Sequence, residues 1–362
     1  MDKNNEIVKI VNRVVKINEI NKNNYRNGII PNDLILFSLG AAMKSFFSLH
    51  TSYINRNIYQ RDYFKEVYDY EISFVYIDLY HRGIIHFQHF FELIIKEIIR
   101  NKDENLILVK NRKTIGFDRA FEVLEEQNKK GNITGDNITI LINAKKELAE
   151  LNNLRNKILH RGQSVLRFHE YITFIIKYIL PIIQPALNAL NLVDKEKYWK
   201  YKNVLIKDPI DELILSMKSK KYDYYTFIHI LLLMKIGDAA YKNPLPIKPE
   251  ESNYKDNFYK VALKRYESKL EQYESIAGEI YKYKYEMSDG NKNIWLKKCL
   301  VCGLNTLIIK IETDFDYNEK REQSLIITEV LAHCECCSFE IDNAILEPVN
   351  FGYNVDKLFI ID

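Results

Sequence analysis

The stretch ELAELNNLRNKILHRG, residues 147–162, decides how this chain is read. Leu148, Leu151, Leu154 and Ile158 recur three and four residues apart, so on a helix they form one apolar stripe facing a core. Arg155, Asn156 and His160 fall off that stripe. Asn156 and His160, four apart, stack on one face, and Arg155 flanks Asn156 on the adjoining side. Gly162 follows as a C′ glycine that ends the helix. The helix therefore presents a cation, an amide and an imidazole side by side near its C-terminal end.

Working outward, the same periodicity predicts a mainly α fold. Pro31-Asn32-Asp33 opens a packed helix through LILFSLGAAMKSFFSLH. A long helical region is expected from about Tyr63 to Arg100, kinked or broken at Gly83. A charged connection follows, with a short strand at LILVK, and then helices over Phe117 to Lys129 and Ile138 to His160. Another helix should run from about Val165 to Leu180, where Pro181 and Pro185 bend or stop it. These elements make an up-and-down bundle of four or five helices over residues 31–193. Two more helical pieces precede the break NPLPIKP. A long charged helix then covers residues 254–284, with Tyr259, Leu263, Tyr266, Leu270, Tyr273, Ala277 and Ile280 at coiled-coil spacing. Such a stripe fits either a helix lying across the bundle or a dimer seam. From Trp295 onward the pattern changes to short β-like runs. The resulting division is an N-terminal helical extension (1–60), the helical bundle (61–193), an accessory region with the long helix (194–290) and a C-terminal ribbon (291–362).

Composition narrows the class. The 362 residues are 47% hydrophobic and 28% charged, ordinary for a folded globular chain. A net charge of +3 does not announce a nucleic-acid partner, so any basic surface must come from local clustering. The opening MDKNNEIVKI has no apolar leader, and the stretches 171–180 and 225–234 are too short or interrupted to span a bilayer. A soluble protein without a membrane partner is expected.

All five cysteines lie between Cys299 and Cys337. A disulfide scaffold would spread its bridges through the fold, so the clustering indicates a metal site in a reducing, cytoplasmic compartment. Cys299-Leu-Val-Cys302 and Cys334-Glu-Cys-Cys337 are two C-x2-C turns, each aiming two thiolates at one ion, and together they make a tetrahedral site suited to Zn2+. LNTLIIKIE and SLIITEVLA between them read as paired strands. Cys299, Cys302, Cys334 and Cys337 are the expected ligands of a structural zinc ribbon. Cys336 and His333 adjoin the site and blur the ligand set. Lys297, Lys298 and Lys310 give the ribbon a surface that RNA would tolerate.

The LxxLRNKILHRG wording resembles the signature of the HEPN superfamily, helical-bundle proteins many of which are ribonucleases. Its members carry Arg, four to six residues and then His, commonly with Asn, Asp or His after the Arg. Arg155, Asn156 and His160 match that pattern, and the resemblance covers about residues 60–190. It implies a metal-independent endoribonuclease, a toxin or anti-phage defence effector, with Arg155 and His160 catalytic and Asn156 supporting. It further implies an RNA substrate, a homodimer that brings two motifs to one cleft, and an antitoxin or other regulatory protein. The chemistry is coherent: histidine moves protons near neutral pH, and arginine matches the oxygens of a charged phosphate. A helix C-terminus also favours a protonated imidazole. Two other readings stand beside it. Cations near a helix end also serve as plain caps of the last carbonyls, and the same bundle and ribbon suit a non-catalytic module that binds protein or RNA. His81, His86, His89 and Glu92 form a second polar cluster, read as rim polars or as a metal site, and Gln88 or Glu92 could contribute to the cleft.

Overall fold

A computed structural model describes residues 31–54, 74–108, 114–161, 166–192, 208–218, 224–242, 248–249, 251, 256–287, 294–299, 301–317 and 323–341. Over these residues the chain is mainly helical, with a small antiparallel sheet near the C-terminus. The helices are α1 (Pro31–Ser48), α2 (His50–Ile54), α3 (Phe74–Lys102), α4 (Phe117–Lys129), α5 (Asp136–Asn143), α6 (Lys145–Arg161), α7 (Phe168–Phe174), α8 (Leu180–Asn188), α9 (Pro209–Lys218), α10 (Tyr224–Lys242) and α11 (Asp256–Met287). The strands are β1 (Ile294–Lys298), β2 (Asn305–Tyr317), β3 (Gln323–Cys334) and β4 (Glu340–Ile341), paired in chain order. Residues 1–30 of the N-terminal extension and residues 63–73 of the long helical region lie outside the described residues.

Several boundaries differ from the sequence reading. α3 runs through Gly83 without a break. One glycine costs a helix about 1 kcal/mol, and the buried row Tyr80, Ile84, Phe87, Phe91, Ile94 and Ile98 outweighs it. The helix expected over 138–160 is two helices, because the Ala144 N–H turns back to Ile140 and Ile142 while its carbonyl accepts from Leu148 to start α6. The prolines at 181 and 185 do not end the helical path. A π-helical turn, Ile175–Ile179, leads from α7 into α8, which has Pro181 in its first turn and Pro185 inside. A first-turn proline forfeits an N–H that would lack a helical partner anyway. At LILVK, Leu108 makes a single bridge to Thr114, and residues 109–113 lie outside the described residues.

Two segments, Leu34–Ser52 and Phe168–Asn188, are long and apolar enough to cross a membrane by length and composition, more than the sequence reading allowed. Their windows are 67% and 56% buried inside the protein, the pattern of core helices.

The chain divides into two compact units that interleave along it, rather than the four consecutive segments that the composition breaks suggest. The first takes residues 1–43, 80–166 and 178–199. There α5 packs on α8 and α4, and α6 packs on α4 and α5. Leu148, Leu151, Leu154 and Ile158 of α6 are all buried, as their spacing requires. Polar ties fix α6 to α4: Asn152 Nδ2 donates to Asp118 Oδ1 at 3.1 Å, and Lys145 pairs with Glu125 at 2.6 Å. Gly135, at φ +131°, makes the turn into α5 that a side chain would resist.

The second unit takes residues 44–79, 167–177 and 200–362. α10 supplies its most apolar segment, with Ile230, Leu231, Leu232, Leu233 and Met234 buried in succession. Leu232, Ile236 and Ala239 share one core with the cysteine region of the ribbon. α11 lies against β1 and β2. Of its coiled-coil stripe, Ala277 is buried and Tyr273 packs on the ribbon core, so the C-terminal half is used within the chain.

Gly237 shows how tightly α10 is packed. A Cβ there would stand 2.3 Å from the ring of Phe47, itself fully buried. Gly237→Ala should therefore destabilise the protein by roughly 1–3 kcal/mol through overpacking. Gly278→Ala, where a Cβ meets nothing within 4 Å, should stabilise α11 slightly. Thermal denaturation of the two variants checks both signs.

Candidate functional site

Two clusters carry the chemistry, one in each unit. In the second unit the sheet builds two matching turns. At Cys299, the Gly303 N–H donates to the Cys299 carbonyl at 2.9 Å and the Cys299 N–H donates to Leu304 O at 2.8 Å. At Cys334, the Ser338 N–H donates to the Cys334 carbonyl at 2.9 Å and the Cys334 N–H donates to Phe339 O at 2.8 Å. Gly303 and Ser338 occupy equivalent left-handed positions, φ +77° and +57°. Glycine fits that conformation freely, whereas Ser338 is held there at a cost of about 1–2 kcal/mol.

These turns bring Cys299, Cys302, Cys334 and Cys337 together, all buried, with their sulfurs within 4.8 Å of one another. Cys299 Sγ lies 3.7 Å from Cys337 Sγ, and Cys302 Sγ lies 3.7 Å from Cys334 Sγ. Those distances are far too long for a disulfide, and all five cysteines are free. A tetrahedral ion with metal–sulfur bonds of about 2.3 Å places its sulfurs about 3.8 Å apart, so the cluster fits such an ion. Hydrogen bonds from the neighbouring thiols of Cys299 and Cys334 hold Cys302 well below the ordinary thiol range. Metal binds the thiolate form, so an ion held here would displace protons from the cluster.

Donors surround the sulfurs. The Val301 N–H points at Cys299 Sγ and the Cys337 N–H at Cys334 Sγ, each at 3.4 Å. Thr306, fully buried, sets its hydroxyl 3.1 Å from Cys334 Sγ and 3.4 Å from Cys302 Sγ. Sequence spacing missed Thr306, since its role follows from the strand register after the first turn. His333, the other residue that blurred the ligand set, turns its ring to Glu340 at 2.8 Å. Cys336 is buried but lies outside the four-sulfur group.

In the first unit, α6 carries the Arg-x4-His group. Arg155 and Asn156 are half-buried and His160 is exposed. Arg155 Nη1 donates to Asn156 Oδ1 at 2.9 Å, joining the two residues that the sequence reading placed side by side. Among the described residues no carboxylate pairs with Arg155, and no hydrogen bond engages His160. On α3, the pKa of His89 is lowered by burial and by the cations of Lys96 and Arg155, against the opposing pull of Glu92. Ser38 Oγ of α1 holds His89 Nδ1 at 2.9 Å. Glu92 accepts from Lys96 at 2.6 Å and from Gln88 at 2.9 Å, and these bonds keep its carboxyl below the usual range despite burial. His86 is also lowered, by burial and by His89 and Arg82. His86, His89 and Glu92 form no metal-type group of ligand atoms among the described residues.

Compared with known proteins, the chain matches no family model, no curated protein and no solved structure. Its function must be read from these two sites.

The metal reading makes a direct prediction. Elemental analysis of protein purified without chelator should find one metal ion per chain, lost in Cys337→Ser and kept in Cys336→Ser. Thr306→Val keeps the side-chain shape but deletes the hydroxyl, and should weaken metal binding about tenfold, as losing an outer-shell partner does. Thr306→Ser should restore the affinity, read by competition with a chromophoric chelator.

Proposed function

We propose that this chain is a metal-independent endoribonuclease of the HEPN type, with Arg155 and His160 catalytic, Asn156 supporting and a structural zinc ribbon. The observation that carries the reading is the state of the Arg155 group. A plain helix cap would tie its cation to the last backbone carbonyls. Arg155 instead bonds the Asn156 side chain, and His160 stands in solvent without a partner among the described residues. A buried apolar stripe fixes the helix beneath them, so the polar group is held on a rigid element rather than a loop.

In the proposed reaction the 2′-hydroxyl of RNA attacks the adjacent phosphorus as its proton passes to a base. The bond from phosphorus to the 5′-oxygen breaks, and the leaving oxygen takes up a proton. His160 transfers a proton at one of these oxygens. Arg155 meets the negative charge that builds on the phosphate, and Asn156 holds the guanidinium in place. The products carry 2′,3′-cyclic phosphate and 5′-hydroxyl ends.

Zinc suits the four-sulfur cluster, and with all four positions filled by protein no open position is left for water. Its contribution is to the fold. Because the chain supplies one Arg-x4-His group, a cleft lined by two calls for a homodimer or a paralogous partner chain. A toxin or defence role, a regulatory or antitoxin partner and a cytoplasmic location belong to the same reading.

His160→Ala should lower RNA cleavage at least a hundredfold and abolish toxicity on expression, with circular dichroism unchanged. Brief EDTA treatment should leave cleavage intact, and DNA should not be cut. An equally active His160→Ala protein, 5′-phosphate ends, or cleavage that stops at once with EDTA and returns with magnesium would each overturn the reading. RNA binding without cleavage would instead favour the non-catalytic module.

A further inference from the structure

α1 turns one narrow stripe outward. Phe37 and Lys44 are exposed and Leu34, Gly40 and Ala41 are half-exposed, while the neighbouring positions from Ile35 to Ser48 are buried. A lysine and small residues suit a solvated stripe, but Phe37 is 67% exposed. A single exposed phenylalanine is ordinary on a protein surface, and its neighbours are what distinguish this one. Its ring meets His86 edge-on, with centroids 6.4 Å apart and planes at 81°. The next residue, Ser38, fixes the His89 ring through its hydroxyl at 2.9 Å. The His86 Nδ1 atom is buried without a hydrogen-bond partner among the described residues. Glu92, one turn beyond His89, is already engaged by Lys96 and Gln88.

We propose that Phe37, with His86 and His89, forms a base-binding subsite for single-stranded RNA beside Arg155. An exposed aromatic ring is a stacking platform for any nucleobase, and stacking beside a cation that meets the phosphate is how proteins hold single strands. The imidazoles complete the fit. Burial lowers both His86 and His89, which favours the neutral rings; with His89 Nδ1 held by Ser38 and His86 Nδ1 buried, Nε2 is the nitrogen each ring has left for a base edge. Arg155 acts on His89 electrostatically, so a cation of the kind that meets phosphate belongs to the same neighbourhood. The subsite favours unpaired RNA, because a base inside a duplex has no free face to stack. It deepens the ribonuclease reading and rests on it for the identity of the ligand, yet it is tested by binding alone.

The probe is a fluorescently labelled 12-nucleotide oligouridylate with 2′-O-methyl sugars, which cannot be cut through a 2′-hydroxyl, titrated by anisotropy against the full chain at fixed salt. Phe37→Ala should weaken binding about tenfold, and Phe37→Trp should preserve it. Arg155→Ala should also weaken it and reduce the salt dependence by about one phosphate contact. A duplex of the same length should compete poorly. Because Phe37 is exposed, its replacement leaves the fold intact, checked by an unchanged melting temperature. Equal affinity of Phe37→Ala and wild type, no binding by wild type, or equal binding of duplex would overturn the subsite. Phe37-dependent binding together with no cleavage of unmodified RNA would uphold the subsite and remove the ribonuclease reading. Cleavage with an unchanged kcat/KM in Phe37→Ala would do the reverse.

Discussion

Four buried sulfurs in one apolar core are the constraint on which the C-terminal half of the chain depends. Cys299, Cys302, Cys334 and Cys337 share their core with Leu232, Ile236 and Ala239 of α10, and Tyr273 of α11 packs on the same cluster. Thiolates there need a cation, because burying uncompensated charge is far costlier than burying the thiols. A metal ion would therefore do more than close a small sheet: it would set the surface on which α10 and α11 rest, so metal binding and folding are one equilibrium. The donors around the sulfurs serve the same balance. The N–H groups of Val301 and Cys337 and the hydroxyl of Thr306 would spread the negative charge of metal-bound thiolates.

The first unit solves the opposite problem, keeping polar groups available on a helix that must also bury a face. α6 does so by phase. Its leucines and Ile158 point inward, and Arg155, Asn156 and His160 are left on the outer side by the 3.6-residue period. α3 applies the same rule at greater length, with His86, His89 and Glu92 one turn apart along its less buried edge. Between these helices the link is electrostatic: the Arg155 cation helps to lower the pKa of His89. A site of this kind is rigid because the apolar stripes beneath it are.

Much of this was legible in the sequence because the signals were periodic or covalently spaced. The α6 stripe, the start of α1 at Pro31, the extent of α11 and the clustering of Cys299, Cys302, Cys334 and Cys337 follow from counting residues. The failures share a cause. The break at Ala144 carries no glycine or proline, and only the bifurcated N–H of that residue marks it. The prolines at 181 and 185 looked like stops, but the π turn before α8 lets the helical path continue. Thr306 and Ser38 were invisible for a deeper reason: a hydroxyl's role is fixed by what lies across the fold from it, and no local pattern encodes that.

The equivalence of the two cysteine turns shows where such reasoning can be pushed further. Gly303 sits where a left-handed backbone is needed, and its identity advertises the turn. Ser338 holds the same place in the second turn at φ +57°, with the same pair of backbone hydrogen bonds. A serine is retained in a strained conformation only when its surroundings over-determine it. Here the surroundings are the Cys334 carbonyl on one side and the buried Phe339 on the other. The strain is thus opposed by the hydrogen bond to that carbonyl and by Phe339, which is packed in the same core as the four cysteines. The Cys334 turn therefore carries a local conformational cost that the glycine of the Cys299 turn avoids.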